Sequence, residues 1–136
     1  MIEKLIISTA HQGLHEITER IESIVRKSQV QEGMCHLFIQ HTSASLIIQE
    51  NADPTAKRDL ENWMNKLVEE HNRLFTHTLE GPDDMPSHIK SVLTSTSLSI
   101  PIIDQHVALG TWQGIYVWEH RKQPHQRCII VHISRS

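Results

Sequence analysis

The chain has 136 residues, of which 38% are hydrophobic and 21% charged, with five Gly and five Pro. That balance supports one folded domain with a real core and excludes a disordered or low-complexity chain. The formal net charge of −3 offers a polyphosphate no overall attraction, so nucleic acid is not an expected partner.

In chain order, residues 3–8 are a short β-branched run that reads as a strand. Met1–Ser8 lacks the basic start and apolar stretch of a secretory leader, and no later run approaches the roughly 18 apolar residues of a membrane span. No membrane partner is expected, and a cytoplasmic location is the simplest expectation. Ile17, Ile21, Ile24 and Val25 follow i, i+4, i+7, i+8, which predicts a helix from about Ile17 to Lys27. After Gly33, Met34–Gln40 and Ser45–Gln49 read as strands, with His41 at a strand end between them. Cys35 and Cys128 each sit in an apolar run, where a buried thiol is expected rather than a disulfide.

Asp53-Pro54 predicts a helix start: the carboxylate can accept from a free N–H, and proline has none to lose at the first turn. That helix is expected to run to about Glu70 and to bury Leu60, Trp63, Met64, Leu67 and Val68. A second helix is predicted to open at Pro86 and turn Ile89, Val92 and Leu93 inward. Leu98–Ile103, Ile115–Glu119 and Cys128–Ile133 complete the predicted strands. Strands and helices interleave without a repeating βα unit, so the expectation is one α+β domain, a mixed β-sheet with about three helices.

The chemistry concentrates in His77–His88, which carries two imidazoles and three carboxylates (Glu80, Asp83, Asp84) around Gly81-Pro82. Such groups bind divalent metals and move protons near neutral pH. His88, read as the third residue of its helix, would lie near exposed N–H groups that disfavour the imidazolium and keep a lone pair for a metal. The three carboxylates are open to several roles: orienting a metal-bound histidine, proton transfer, or capping the helix at Pro86. His41, followed by Thr42, Ser43 and Ser45 and then Glu50-Asn51, is a second polar knot. No Gly-x-Ser-x-Gly elbow surrounds either serine, which argues against a serine nucleophile. Gly110–Gly114 lacks the Walker lysine and reads as a turn; Lys90, Arg121 and Arg127 are the cations considered for a phosphate.

Taken together, Gln40-His41-Thr42-Ser43-Ala44-Ser45-Leu46, Glu50-Asn51-x-Asp53-Pro54, His77-x-x-Glu80-Gly81-x-Asp83-Asp84-Met85-Pro86-Ser87-His88-Ile89-Lys90, Gly110-Thr111-Trp112-Gln113-Gly114 and Glu119-His120-Arg121 resemble the YjbQ-like family of secondary thiamine-phosphate synthases. The resemblance implies an α+β fold, a homotrimer packed through its sheets, and a polar site at His41, Glu50, Asn51, His77, Glu80, Asp84, His88, Lys90, Gln113 and Arg127. It also implies a reaction joining an aminopyrimidine diphosphate to a thiazole phosphate with release of pyrophosphate. The chain departs from the family pattern at Thr94 and Gln105, where Gly is usual, and at Lys122–His125, where a Gly-containing turn is usual. These changes bear on loop shape and substrate preference.

The resulting expectation is an enzyme in which His41, His77 and His88 share one divalent cation, with Glu80, Asp83, Asp84, Glu50 and Asn51 as the catalytic residues and Glu80, Asp83 or Asp84 orienting ligands or transferring protons. Lys90, Gln113 and Arg127 would hold a small phosphorylated substrate. Three imidazoles suit Zn²⁺, and added carboxylates shift the preference toward Mg²⁺ or Mn²⁺. Two other readings fit the same residues: metal-assisted hydrolysis of a phosphate ester, and a trimer that binds a small molecule or metal and turns nothing over.

Overall fold

Alternation of buried and exposed side chains sets the strands. In β1 (Ile2–Thr9) Leu5, Ile7 and Thr9 point inward while Ile2, Lys4 and Ile6 stay out, and β3 (Glu32–Ile39) does the same with Cys35, Leu37 and Ile39. The computed structural model describes all of residues 1–136. The remaining elements are β2 (Gly13–Glu16), α1 (Thr18–Ser28), β4 (Ala44–Glu50), α2 (Pro54–Leu67), α3 (Asp84–Leu93), β5 (Ser97–Ile103), β6 (His106–Val107), β7 (Gln113–Glu119) and β8 (His125–Arg135). The class is α+β with three helices, and the β content divides between two wholly antiparallel sheets, ordered β1-β8-β3-β5-β6 and β2-β7-β4.

The main core lies where α1 and one face of each sheet meet: Ile21 and Val25 pack with Leu37, Ile39, Leu46, Ile115, Val117, Ile129 and Val131. A smaller core holds the other face of the three-stranded sheet, with Leu14, Tyr116 and Trp118 against Met64 and Val68 of the α2 region. β7 is therefore buried on both faces from Gly114 to Glu119, as a central strand should be. Gly33 is required by a close approach, since a Cβ there would sit 1.9 Å from the Ser134 carbonyl oxygen on β8.

Helix ends and faces differ from expectation in instructive ways. Asp53 caps α2 as read, accepting from the Thr55 amide at 2.9 Å. The helix ends at Leu67, however, and of its predicted apolar stripe Trp63 is 62% and Leu67 55% exposed. α3 starts at Asp84, two residues before Pro86, so His88 is its fifth residue rather than its third, and the argument placing it at the dipole's positive end is withdrawn. Asp83 makes no side-chain cap there. The buried residues of α3 are Asp84, Pro86, Ser87, Lys90 and Ser91, while Val92 is 83% exposed. Both cysteines are free, and burial pushes the Cys35 thiol up to about 12. No helix is long and apolar enough to cross a membrane.

Candidate functional site

The turn before α3 is organised by one arginine. Arg121, in the connection after β7, donates from Nε to Asp83 Oδ2 at 3.1 Å, from Nη1 to Asp84 Oδ1 at 2.6 Å and from Nη2 to the Glu80 carbonyl at 2.9 Å. The Lys122 amide adds a fourth tie to Asp83 at 2.9 Å. Gly81, at φ 109°, supplies the bend that brings residues 80–84 within reach of a single guanidinium. Arg121, considered above as a phosphate cation, thus commits all three of its guanidinium nitrogens to shaping the segment. Asp83, expected among the acid–base groups, is a buried anchor for it.

With Oδ1 held by Arg121, Asp84 turns Oδ2 toward two imidazoles: His77 Nε2 at 2.6 Å and His88 Nε2 at 3.1 Å. The three ligand-type atoms lie within 4.8 Å of one another. Asp84 is 2% exposed. Burial works to raise its pKa, but the His77 hydrogen bond and the Arg121 charge outweigh that and hold it below the usual carboxylate range. The carboxylate is therefore ionised near neutral pH.

The His88 proton can be placed. Nδ1 lies 3.0 Å from the Thr42 carbonyl oxygen, which only accepts, so Nδ1 carries the hydrogen. In the neutral ring Nε2 then presents a lone pair to an ionised carboxylate oxygen at 3.1 Å. Two acceptors at that distance repel unless a proton, making the ring an imidazolium, or a metal ion lies between them. An imidazole whose second nitrogen is fixed by a carbonyl is the arrangement typical of a metal ligand. Two Zn²⁺ ligands at about 2.1 Å and a tetrahedral angle stand roughly 3.4 Å apart, so His88 and Asp84 fit with a small opening, and His77 needs a larger one.

The expected three-imidazole pocket is corrected here: His41 is not in the cluster. Its Nε2 accepts from the Cys128 amide at 2.8 Å, and its Nδ1 faces Arg127 Nη1 at 3.3 Å. With Nε2 accepting, the neutral ring must carry its proton on Nδ1, so the Arg127 contact sets donor against donor and is not a hydrogen bond. Burial, then the Arg127 charge, lowers the His41 pKa. The residue contributes indirectly, because its neighbour Thr42 supplies the carbonyl that orients His88. Glu80 stays near, with Oε2 3.8 Å from His77 Nε2 and an exposed side chain.

The other expected positions fall elsewhere. Arg127, 3% exposed, is bound through Nε and Nη2 to the wholly buried Glu119 and also donates to Ser43. It has no free fork for a phosphate. Glu50 and Asn51 lie at the far end of β4, about 26 Å along an extended chain from Thr42. There Glu50 Oε2 accepts from the Asp53 amide at 3.1 Å. Gln113 Oε1 closes its own turn by accepting from Gly110 at 2.8 Å. Lys90 points away from the imidazoles, and the predicted phosphate-binding set is not assembled. His120, quoted above only within a motif, and Thr94, noted only as a departure from the family pattern, were given no site role, yet they join Ser45 in a largely buried hydrogen-bonded chain. Their motif neighbours were visible, but nothing local marks a residue for burial.

The profile of the family described as "UPF0047 protein YjbQ-like" matches residues 3–136. The chain belongs to the YjbQ-like UPF0047 family. It is 52% identical over 132 residues to a UPF0047 protein of Synechocystis, spanning 97% of this chain and 90% of that one. It is 42% identical over 127 residues to the UPF0047 protein YjbQ of Escherichia coli, spanning 93% and 91%. A solved YbjQ-like protein of unknown function from Sulfolobus solfataricus superposes with a TM-score of 0.89 at 26% identity, over 100% of this chain and 97% of that one. A member from Clostridium acetobutylicum gives 0.84 at 34% identity, over 98% and 99%. These relatives are uncharacterised, and nothing in them points to thiamine-phosphate synthesis. The expected synthase reaction, and with it the assignment as a transferase, is therefore withdrawn.

Proposed function

We propose that this member of the UPF0047 family is a divalent-metal-binding protein whose ion sits among His77, Asp84 and His88, with Glu80 at its edge. The observation that carries this reading is the convergence of His77, His88 and the ionised Asp84 within 4.8 Å, with His88 Nδ1 committed to the Thr42 carbonyl so that Nε2 faces Asp84 Oδ2 at 3.1 Å. A metal ion there would replace the proton between Nε2 and Oδ2 and bond to both. Two imidazoles and one carboxylate favour Zn²⁺ over Mg²⁺, which prefers oxygen ligands and retained water. Three protein ligands leave a coordination position open, where such an ion polarises a bound water or a small oxygen ligand. Arg121 holds Asp84 in place, and the Thr42 carbonyl holds the His88 ring.

Thermal unfolding of tag-free protein tests this. Zn²⁺ should raise Tm more than Mg²⁺, by a concentration-dependent amount worth about 2.7 kcal/mol at a hundredfold excess over Kd. His88→Ala should abolish the effect. Equal Tm with and without Zn²⁺ in the parent protein would end the proposal.

We further propose that copies of the chain assemble through the outer face of the five-stranded sheet, as the trimer implied by the resemblance requires. In support, Ile2, Ile6, Phe38 and Ile103 are exposed together on that face. The free thiols of Cys35 and Cys128 suit a reducing, cytoplasmic compartment.

A further inference from the structure

On α3, Lys90 follows His88 by two residues and so projects about 200° around the axis, away from the metal cluster. Its residue is only 4% exposed, yet its ammonium belongs to no ion pair and donates only to Asn65 Oδ1, at 2.6 Å. Nearby Lys122, by contrast, is paired with Glu70 at 2.6 Å. The carboxylates of Glu70 and Asp83 act on it only at longer range, so this buried charge is incompletely compensated, and two of the three N–H groups of Lys90 are unused. Lys90 lines two adjoining cavities of about 330 and 180 Å³ that share Gln12, Asn65 and Lys90.

His120 lines the smaller cavity, is 1% exposed, and leaves Nδ1 without a partner. The polarity of that nitrogen follows from its hydrogen-bonded chain. His120 Nε2 lies 2.9 Å from Ser45 Oγ, Ser45 Oγ lies 2.7 Å from Thr94 Oγ1, and Thr94 Oγ1 lies 2.8 Å from the Lys90 carbonyl oxygen. The carbonyl only accepts, so the Thr94 proton goes to it, the Ser45 proton goes to Thr94, and Nε2 donates to Ser45. Nδ1 is left as a buried lone pair that needs a donor. Gln12 gives its Nε2 proton to the His120 carbonyl at 2.9 Å, so its oxygen is a second free acceptor. Lys90 Nζ and the Asn65 amide nitrogen are the free donors. Lys122 adds a second cation to the walls, while Glu61, Glu69 and Glu70 there oppose a dianion more strongly than a monoanion.

We infer that this cavity, separate from the metal cluster, binds a small monoanionic hydroxycarboxylate. Its carboxylate is held by Lys90 and Asn65, and its hydroxyl donates to His120 Nδ1 or Gln12 Oε1. The site does not depend on the metal reading.

Amide ¹H–¹⁵N correlation spectra of the full chain in EDTA, titrated with glycolate, acetate and inorganic phosphate, test it. Glycolate should shift the Gln12, Asn65 and Lys90 amides saturably, and acetate, lacking the hydroxyl, should bind about tenfold more weakly. Lys90→Met removes the ammonium at similar shape, and Asn65→Asp keeps it but supplies a competing carboxylate. Each should weaken glycolate binding by more than about tenfold with the rest of the spectrum retained. No saturable shift, unchanged affinity in both variants, acetate equal to glycolate, or phosphate tighter than glycolate would each overturn the assignment.

Discussion

At the scale of single residues, charges are placed by partners that consume most of their hydrogen-bonding capacity. Arg121 has five donors and spends three on residues 80–84. Arg121→Gln should therefore lower Zn²⁺ affinity about 10- to 100-fold without touching a ligand atom, as competition against a chromogenic chelator would show. The Glu119–Arg127 pair has no such role. Glu119 is fully buried, and although burial works to raise its pKa, the Arg127 hydrogen bond and its other contacts hold it down. Arg127→Met should cost about 3–5 kcal/mol in urea unfolding by stranding that carboxylate. His120 sets an acid limit. Burial, aided by the Lys90 charge, pushes its pKa down from 6.5 to about 3. Between those values the unfolded chain binds a proton that the folded chain refuses, so stability falls as pH drops below 6.5, at up to about 1.4 kcal/mol per pH unit from this one group. His120→Gln should flatten that part of the profile, and parallel profiles for the two proteins would contradict the assignment.

Elements show where pattern reading succeeds and where function overrides it. α1 and the long strands were legible because their buried residues are apolar and periodic: Ile21, Ile24 and Val25 in the helix, Leu5 and Ile7 in β1. β2 and β6, of four and two residues, are too short to carry a period. α3 turns only part of its expected face inward: Ile89 packs against the smaller core, but Val92 and Leu93 point to solvent and the fully buried positions are largely polar, with Asp84 and Lys90 buried for the sites they build. Val92→Lys should accordingly change the urea midpoint by less than about 0.5 kcal/mol equivalent. Gly33→Ala should be severe, because the β3–β8 pairing leaves a Cβ 1.9 Å from the Ser134 oxygen. A soluble, wild-type-like Gly33→Ala protein would mean the two strands are not so closely paired.

For the whole molecule, membership of one motif set and spatial proximity parted company. His77, Asp84 and His88 come together because one turn and one helix carry all three. His41, Glu50, Asn51, Gln113 and Arg127 were grouped with them by the resemblance but are distributed over both sheets and their connections, where backbone groups and the buried Glu119 claim most of them. A motif identifies residues that are kept, not the point at which they meet. The outer face of the five-stranded sheet, with its exposed Ile2, Ile6, Phe38 and Ile103 among polar residues, belongs to this scale too. Sedimentation should show an assembly that Phe38→Asp dissociates, and a monomeric parent protein would remove that proposal.

The central claim is that Asp84 and His88 face each other across a metal ion. Elemental analysis of tag-free protein, exposed to excess Zn²⁺ and then desalted, tests it most directly. The account predicts about one zinc per chain in the parent protein and almost none in Asp84→Asn or His88→Ala, both still folded by circular dichroism. Parent protein that retains no zinc, or variants that retain as much as the parent, would contradict it.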